Sequence, residues 1–325
     1  MTNLLDRALD RSVVLGFSKV GSALRQRWWP ADPEPGALAG KRVLVTGATS
    51  GIGEAMARSF ADLGATVHLL GRNADKLAGV ARQLRLDRPA AEVVEEVCDV
   101  GDLDAVRAWA GDFRDRVPAL HGLVHNAGTM TEKREESPQG YELGLAVHVL
   151  GPHLMTDLLQ AQLAAAGGAS VVWVSSGGMY SAQLPSDVDG YESRGVDKAG
   201  DYNGVRAYAR TKRMQVVIAD AWSRRLAGAD VRVESMHPGW VATPGVATHL
   251  PTFNMVSRPV LRDARDGADT AVWLVATRPR SEPPHFWHDR AQRPVTMGRQ
   301  REPAAEDVRR FLGWVSDTTG TPASW

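Results

Sequence analysis

The feature that most constrains the fold is an alternation of short apolar runs with helical patterns along most of the chain. The runs have the length of strands, and between them apolar residues recur every three or four positions, as in amphipathic helices. Apolar runs lie at residues 43–45, 67–70, 93–97, 120–125, 171–174 and 231–235, and helical patterns at residues 54–61, 74–84, 103–113, 141–165 and 205–226. Strands that alternate with helices form a parallel sheet covered on both faces, because each crossover helix packs on one face. Since nothing separates two cores, we predict a single doubly wound α/β domain with a mostly parallel sheet over residues 38–325.

Residues 1–37 stand apart from this alternation. Between Leu5 and Trp28 apolar side chains recur every three or four residues, with arginine, lysine and aspartate between them, which predicts one amphipathic helix. The helix should end at Trp29 and Pro30, before a linker rich in proline and glycine. Two roles stay open for it. One is docking onto the main domain or a partner subunit, and the other is peripheral membrane contact, which its arginines and the paired tryptophans favour.

Composition and charge exclude several classes of function. The 38 basic and 38 acidic side chains leave no global positive field, so we expect no nucleic-acid partner. No apolar run approaches the roughly 20 residues of a membrane span, and the N-terminus lacks the pattern of a secretory signal. Cys98 is the only cysteine, and the histidine pairs have no third metal ligand beside them. We therefore expect a cytoplasmic protein without a metal, associated with a membrane only if the N-terminal helix binds one.

The first predicted strand leads directly into a glycine-rich turn, residues 46–53, that opens a helix. Gly47 permits a sharp turn, while Gly51 and Gly53 let the backbone approach a pyrophosphate and the helix approach the strand. The helix N-terminus supplies free N–H groups and a partial positive charge. This context predicts a Rossmann-type dinucleotide site.

The motifs that follow this turn resemble those of the short-chain dehydrogenase/reductase family, in the same order. They are Asp99 after the third strand, Asn126-Ala127-Gly128 after the fourth, Ser176 after the fifth, Tyr208 and Lys212 in the pattern Y-x-x-x-K, and residues 238–243 after the sixth. The resemblance implies a Rossmann-type oxidoreductase with a nicotinamide cofactor. In more detail, residues 175–179 and 236–240 resemble the branch called dehydrogenase/reductase member twelve.

The resemblance also implies a role for each motif. Ser176, Tyr208 and Lys212 would be catalytic, Asp99 would meet the adenine ring, and residues 238–243 would lie beside the nicotinamide. The predicted cofactor-binding residues are Thr46, Gly47, Ser50, Gly51, Ile52, Gly53, Arg72, Asp99, Val100, Asn126, Ala127, Gly128, Tyr208, Lys212, Pro238, Gly239, Val241 and Thr243.

The chemistry of Tyr208 and Lys212 follows from their spacing. On a helix they lie one turn apart on the same face, so the ammonium can approach the phenol. Lowering the pKa of a tyrosine from about 10 to near 7 requires about 4 kcal/mol, which one charge at ~4 Å in an intermediate dielectric supplies. Tyr208 would then serve as acid and base, Ser176 would hydrogen-bond the substrate oxygen, and the nicotinamide would carry the hydride.

The end of the second strand bears on which nicotinamide cofactor binds. An NAD enzyme of this family usually places a carboxylate there, whereas this chain has Gly71 followed by Arg72. The Arg72 guanidinium is suited to a 2′-phosphate. The alternative is that Arg72 pairs with Asp75 or Asp99 at the surface. We predict NADP rather than NAD.

One residue departs from the family pattern. The helix after the Asn126 turn carries an asparagine in the family, and His148 stands in the aligned position. The family asparagine keeps a helix kink and leaves its main-chain carbonyl free to hold a proton-relaying water. We predict that His148 takes this role as a fourth catalytic residue, with an imidazole that titrates near neutral pH. If it cannot, the chain is a dinucleotide-binding regulatory or scaffolding protein with little or no turnover.

Two segments near the predicted site are candidates for a substrate pocket. The stretch between Ser176 and Tyr208 is longer than in compact members of the family, and it and the loop after Thr243 carry large apolar side chains. The predicted pocket residues are Met179, Tyr180, Trp240, Phe253 and Met255. Such a pocket would take a small lipophilic carbonyl or alcohol, and the alternative is an insertion that packs on itself. We therefore predict an NADP(H)-dependent oxidoreductase that interconverts the two, in a homo-oligomer.

Overall fold

The computed structural model describes residues 6, 9, 10, 12–194, 202–242, 255, 257–298, 300–323 and 325. The strands of this part are β1 Arg42–Thr46, β2 Thr66–Gly71, β3 Val93–Val97, β4 Gly122–His125, β5 Ala169–Val174, β6 Val231–Met236, β7 Phe286–His288 and β8 Ala291–Gln292. They form one sheet in the order β3-β2-β1-β4-β5-β6-β7-β8. Neighbouring strands are parallel except for the short β7 and β8 pair. The predicted doubly wound α/β domain with a mostly parallel sheet is confirmed.

Helices cover both faces of this sheet. They are α1 Val13–Phe17, α2 Lys19–Arg25, α3 Gly51–Asp62, α4 Ala74–Asp87, α5 Leu103–Arg116, α6 Leu143–Leu145, α7 Gly151–Leu158, α8 Gln160–Ala165, α9 Val188–Tyr191, α10 Gly204–Leu226, α11 Ala264–Thr277 and α12 Ala305–Thr319. Buried apolar side chains of α3, α4 and α11 form one core cluster, and those of α5, α7, α10 and α12 form the other. Strands β4 and β5 are buried at every position, because each lies between the two layers.

The strand order places a crevice at the centre of the sheet. Strand β1 pairs with β2 on one side and with β4 on the other, so the chain winds outward in both directions from β1. The helices that follow β1 and β4 therefore pack on opposite faces of the sheet. In open α/β sheets, ligands bind at this point, outside the carboxyl ends of the strands.

The N-terminal segment is helical, but it is not the one continuous helix that its apolar periodicity predicts. It is divided into α1, α2 and a 3₁₀ turn over Gln26–Trp28, and both Ser12 and Ser18 have extended backbone. The Ser12 hydroxyl accepts a hydrogen bond from the Leu15 N–H at 3.4 Å. The prediction of one continuous helix is wrong, because a serine side chain that hydrogen-bonds to nearby backbone groups favours the end or the start of a helix. No helix of the described residues combines the length and the apolar character that a bilayer span requires.

Buried ion pairs fasten this segment to the main domain. Arg25, which the periodicity places on the polar face of a helix, is fully buried. Its guanidinium donates to Asp6 at 2.8 Å, to Asp10 at 2.6 Å and to Asp289 at 2.9 Å. Asp289 also accepts from Arg262 at 2.9 Å. The segment is thus docked onto the main domain, which is one of the two roles left open by the sequence.

We expect Arg25→Ala to lower the free energy of unfolding by about 3–5 kcal/mol, because it leaves Asp289 buried with one partner fewer. Arg224→Ala is the matched control, since Arg224 is half exposed and pairs only with Asp220 one turn away among the contacts described. That variant should lose less than about 1 kcal/mol. Urea denaturation of both variants measures the difference, and equal losses would contradict the structural role of the buried pairs.

Candidate active site

A cavity of about 690 Å³ opens at the carboxyl ends of the central strands. It is lined by the loops that follow β1, β2, β3, β4, β5 and β6, and by the first turns of α10. The predicted site residues that line it are Gly47, Ser50, Gly51, Ile52, Gly53, Arg72, Asp99, Val100, Asn126, Ala127, Gly128, Ser176, Tyr208, Lys212, Pro238, Gly239, Trp240 and Val241. Residues from six separate loops thus meet in one cavity, because parallel strands end at the same edge of the sheet.

The glycine-rich turn has the shape of a cradle for a dinucleotide. Gly47 has a φ of +67°, and a Cβ there would lie 2.8 Å from the Ala127 Cα. A Cβ at Gly53 would lie 2.3 Å from the Gly47 carbonyl oxygen. Only glycine fits these two positions, and the N-terminus of α3 points its free N–H groups toward the cavity edge that they form. The residues present therefore fit a pyrophosphate-containing cofactor.

Thr46 supports this cradle without lining it. Its side chain is buried, and its hydroxyl accepts the N–H groups of Asn126 at 3.0 Å and Ala127 at 2.9 Å. The Asn126 amide donates in return to the Thr46 carbonyl at 2.9 Å. The residue predicted to contact the cofactor thus joins the turn after β1 to the turn after β4.

Tyr208 and Lys212 lie one turn apart on α10, as their spacing predicts. The Lys212 Nζ lies 5.4 Å from the centre of the Tyr208 ring and donates to the Val174 carbonyl at 2.9 Å. The Tyr208 and Ser176 side chains are hydrogen-bonded to each other. The acid–base group, its cationic neighbour and the serine are therefore brought together.

Burial changes the protonation of this pair in a direction that the spacing argument does not anticipate. Desolvation raises the pKa of Tyr208, which the hydrogen bond with Ser176 offsets only in part. Desolvation also lowers the pKa of Lys212 to about 7. In the protein by itself, the loss of water outweighs the attraction between the two groups. In the protein without a cofactor, the Lys212 charge therefore does not bring the pKa of Tyr208 near 7.

His148 lies beneath the cavity in a π-helical turn, Ala146–Leu150, and is fully buried. Its Nε2 accepts the Thr129 N–H at 3.0 Å, so that nitrogen carries no proton. Its Nδ1 therefore donates to the Thr211 hydroxyl at 2.8 Å, and that hydroxyl donates to the Tyr208 carbonyl at 2.9 Å. The imidazole links the turn after β4 to α10.

Burial, with the nearby Lys212 charge, holds the pKa of His148 well below its usual value. The imidazole is therefore neutral throughout the neutral pH range. The expected titration of His148 near pH 7 is wrong, because this side chain is buried and the loss of water disfavours the charged imidazolium.

The main-chain carbonyl of His148 cannot accept an α-helical hydrogen bond from the residue four positions later. That residue is Pro152, which has no N–H. The Gln215 amide donates to this carbonyl instead, at 3.0 Å, which leaves one lone pair for another donor. Pro152 is the sequence signal from which the missing α-helical bond to this carbonyl could have been found. Nothing in the sequence indicates the hydrogen bond from Gln215.

A second basic residue lies beside Arg72, and the sequence reasoning missed it. Lys76 lines the cavity from the first turn of α4, where the Asn73 side chain caps the Lys76 N–H at 2.9 Å. Both basic side chains are exposed, and the described residues show no ion pair from Arg72 to Asp75 or Asp99. The four-residue spacing of Arg72 and Lys76 across a helix start is the signal that could have identified it.

Among the predicted substrate-pocket residues that the structure describes, one lines the cavity and three do not. Met179 is fully buried in a separate cluster with Phe286, and Tyr180 donates its hydroxyl to the Pro294 carbonyl at 2.7 Å, so neither lines the cavity. At these two positions the stretch packs against α10, β7 and the segment at Pro294 rather than on itself. Met255 is 72% exposed and does not line the cavity either, whereas Trp240 does. Thr243 and Phe253 lie outside the described residues.

Two apolar side chains that the sequence analysis did not identify line the cavity together with Trp240. Met130 lies two residues beyond the Gly128 turn, and Val205 is half exposed at the start of α10. The sequence signal for Val205 is its position three residues before Tyr208, which places both side chains on one face of a helix. In the described part of the chain, no cluster of histidine, cysteine, aspartate and glutamate could hold a metal ion.

Comparison with known proteins identifies the family. Residues 41–184 match the family model described as short chain dehydrogenase. Dehydrogenase/reductase SDR family member 12 from Bos taurus is 33% identical over 273 residues, which span 82% of this chain and 83% of that protein. Retinol dehydrogenase 12 from Homo sapiens is 32% identical over 238 residues, which span 72% of this chain and 73% of that protein. The predicted resemblance to the member twelve branch is confirmed.

A solved structure agrees in fold. L-sorbose reductase from Gluconobacter frateurii, complexed with NADPH and L-sorbose, superposes with a TM-score of 0.60 at 22% identity, over 74% of this chain and 91% of that one. Together with relatives that span most of its length, the cavity at the carboxyl ends of a doubly wound sheet shows that the chain belongs to the short-chain dehydrogenase/reductase family of oxidoreductases.

Proposed function

We propose that the protein is an NADP(H)-dependent oxidoreductase that interconverts a carbonyl and an alcohol on a small lipophilic substrate. The observation that carries this proposal is the meeting of Ser176, Tyr208 and Lys212 in one cavity with Arg72 and Lys76. The cations follow β2 and the serine follows β5, three strands away in the sheet. A cofactor with a phosphorylated adenosine at one end and a reactive ring at the other suits such a cavity.

The catalytic residues are arranged for proton transfer to an oxygen atom. When bound, the nicotinamide supplies or accepts the hydride. Ser176 and Tyr208, which are hydrogen-bonded to each other, would both reach the substrate oxygen. Because its pKa is raised, Tyr208 holds its proton at neutral pH and can donate it to a carbonyl oxygen that gains negative charge. This protonation state favours carbonyl reduction.

The adenosine end of the cavity supports NADP rather than NAD. Gly71 stands where a carboxylate would bind the ribose hydroxyls of NAD, and a Cβ there would already lie 3.1 Å from the Thr49 side chain. Arg72 and Lys76 add two positive charges beside the N-terminus of α4, whose partial charge is also positive. A 2′-phosphate would satisfy all three.

The substrate end supports a lipophilic substrate. Met130, Val205 and Trp240 line this part of the cavity, and Tyr208 lies among them. Retinol dehydrogenase 12, one of the relatives, has a lipophilic alcohol in its name. A carbonyl or alcohol on an apolar body would therefore bury its body here and present its oxygen to Ser176.

The rival proposal, a dinucleotide-binding protein with little turnover, rests on His148. The hydrogen bonds of this residue argue against it, because Thr129 and Thr211 satisfy both ring nitrogens and the π-helical turn is kept. The carbonyl of His148, an acceptor with two lone pairs, also receives the Gln215 amide. A relay through the main chain remains open to this site.

We expect Tyr208→Phe to lower kcat by about 100-fold to 10,000-fold, which is the usual contribution of general acid catalysis. NADPH should bind nearly as before, because many other groups line the cofactor cavity. Absorbance of NADPH with a panel of lipophilic carbonyls measures turnover, and fluorescence titration measures binding. The control is Tyr191→Phe, a buried tyrosine away from the cavity, which should keep full activity. An equally active Tyr208→Phe would rule out the mechanism.

We expect Arg72→Ala to weaken NADPH binding about tenfold to a hundredfold, since a hydrogen bond to a charged group contributes roughly 1.5–3 kcal/mol. NADH binding should change little, because NADH lacks the 2′-phosphate. Calorimetry with both nucleotides measures the two affinities. Arg85→Ala, which removes a cation of α4 that does not line the cavity, is the control. Equal affinities for NADPH and NADH in the parent protein would defeat the assignment.

We expect His148→Asn to change turnover only several-fold, which corresponds to about 1 kcal/mol in the barrier. An asparagine can still bond the Thr129 N–H, and the relay atom is in the main chain. The profile of kcat against pH should have the same shape in both proteins, because burial lowers the pKa of His148 far below the neutral range and a transition of Lys212, whose pKa is about 7, is common to both. Profiles of kcat against pH test both points. An inactive parent beside a hundredfold gain in the variant would favour the binding-protein alternative.

A further inference from the structure

Phe17, at the end of α1, lies directly behind two loops of the active site. Its ring is 4.5 Å from the His237 ring and 6.3 Å from the Trp240 ring, measured between centres. On its other side, the ring meets the loop that carries Ser176, where a Cβ at Gly177 would lie 2.8 Å from the Phe17 Cε2. Phe17 is only 2% exposed. One side chain from the N-terminal segment therefore packs against both the serine loop and the loop after β6.

The backbone of the same segment is bonded to the loop after β6. The Phe17 carbonyl accepts the Trp240 N–H at 2.8 Å and the Arg262 Nε at 3.0 Å. The Gly16 carbonyl accepts from Arg262 at 3.1 Å and lies 3.2 Å from the His288 Nε2. Since Trp240 lines the cavity, these bonds set the position of a residue that faces the ligand.

Glycine allows this close approach. Gly239 has a φ of +78°, and a Cβ there would lie 2.7 Å from the Phe17 carbonyl oxygen and 2.6 Å from the Arg262 Nε. Gly177 has no room for a Cβ on its Phe17 side. The two loops are thus built to fit against the N-terminal segment, and the sequence pattern of that segment alone does not show it.

Ion pairs hold the segment in this place. Arg25 and Arg293 both pair with Asp6 and Asp10, and Arg25 and Arg262 both pair with Asp289. The three arginines and three aspartates balance in charge, and none of the six is exposed. Because breaking one buried pair leaves its partner uncompensated, the segment resists displacement.

We propose that the N-terminal segment is a positioning element of the active site, in which Phe17 holds the Ser176 loop and the 238–240 loop at the spacing that receives the nicotinamide and the substrate. This inference rests on the proposed function for the identity of the ligands. The adenosine end of the cavity, at Arg72, has no contact with the segment among the described residues. Loss of the Phe17 side chain should therefore weaken binding at the nicotinamide half of the cofactor site and leave binding at the adenosine half unchanged.

The test compares NADPH with adenosine 2′,5′-bisphosphate, which contains only the adenosine half. We expect Phe17→Ala to weaken NADPH binding about tenfold, to leave the bisphosphate affinity within about twofold, and to lower kcat. Phe17→Leu should restore most of the NADPH affinity and most of kcat. Phe113→Ala, which removes another buried phenylalanine away from the cavity, should change neither affinity. Equal weakening of the two ligands by Phe17→Ala, or no weakening of either, would overturn the proposal.

A double-mutant cycle tests the contact itself. Gly177→Ala should lower kcat because its Cβ meets the Phe17 ring, and adding Phe17→Leu should recover part of the loss. Additive losses would contradict the contact. Amide hydrogen exchange gives a readout that needs no cofactor: Phe17→Ala should speed exchange at Gly178 and Trp240, and Phe113→Ala should not.

The outcomes separate the two proposals. A parent that binds NADH better than NADPH would contradict the proposed cofactor, and the same comparison would then use NADH and adenosine monophosphate. A parent that binds neither would defeat the proposed function. Unchanged exchange at Gly178 and Trp240 in Phe17→Ala would overturn the positioning role in every case.

Discussion

The site depends on the close approach of two backbone turns, the one after β1 and the one after β4. The Thr46 hydroxyl accepts hydrogen bonds from the N–H groups of Asn126 and Ala127. Gly47, which has no side chain, leaves the space in which these turns meet. A side chain at Gly47 would push the turns apart, because a Cβ there would lie 2.8 Å from the Ala127 Cα. The other loops of the cavity follow strands that pair with β1 or β4, or with the neighbours of those two strands. Strand pairing therefore sets the positions of these loops relative to the two turns.

Desolvation has the largest influence on the chemistry of the groups around that contact. It raises the pKa of Tyr208, lowers that of Lys212 to about 7, and keeps His148 neutral. Each group has a hydrogen-bond partner, and those partners fix its orientation. The cost of burying polar groups is thus met by bonds that also position them. The same burial that makes Tyr208 a proton donor makes His148 a structural link between α10 and the turn after β4.

The N-terminal segment is part of the same construction. Its ion pairs reach Asp289 and Arg293, and its carbonyls accept hydrogen bonds from Arg262 and Trp240, so it packs behind the loop after β6. A glycine at position 239 and another at 177 leave the space that it occupies. In an amphipathic helix that docks by its apolar stripe alone, Arg25 would be exposed. Here it is fully buried, and three carboxylates surround it.

The order of strands and helices, the glycine-rich turn and the pairing of Tyr208 with Lys212 could be predicted from the sequence, because each depends on residues close together in the chain. The cavity location follows as well, since parallel strands end at one edge of a sheet. The tertiary structure decided what packs against each side chain from far along the chain. Contacts with distant residues place Met179 in a core cluster with Phe286 and exclude water from His148. Periodicity reports which face of an element is apolar, but pKa values and contacts depend on the atoms that cover that face, and those come from distant residues such as Thr211 and Gln215.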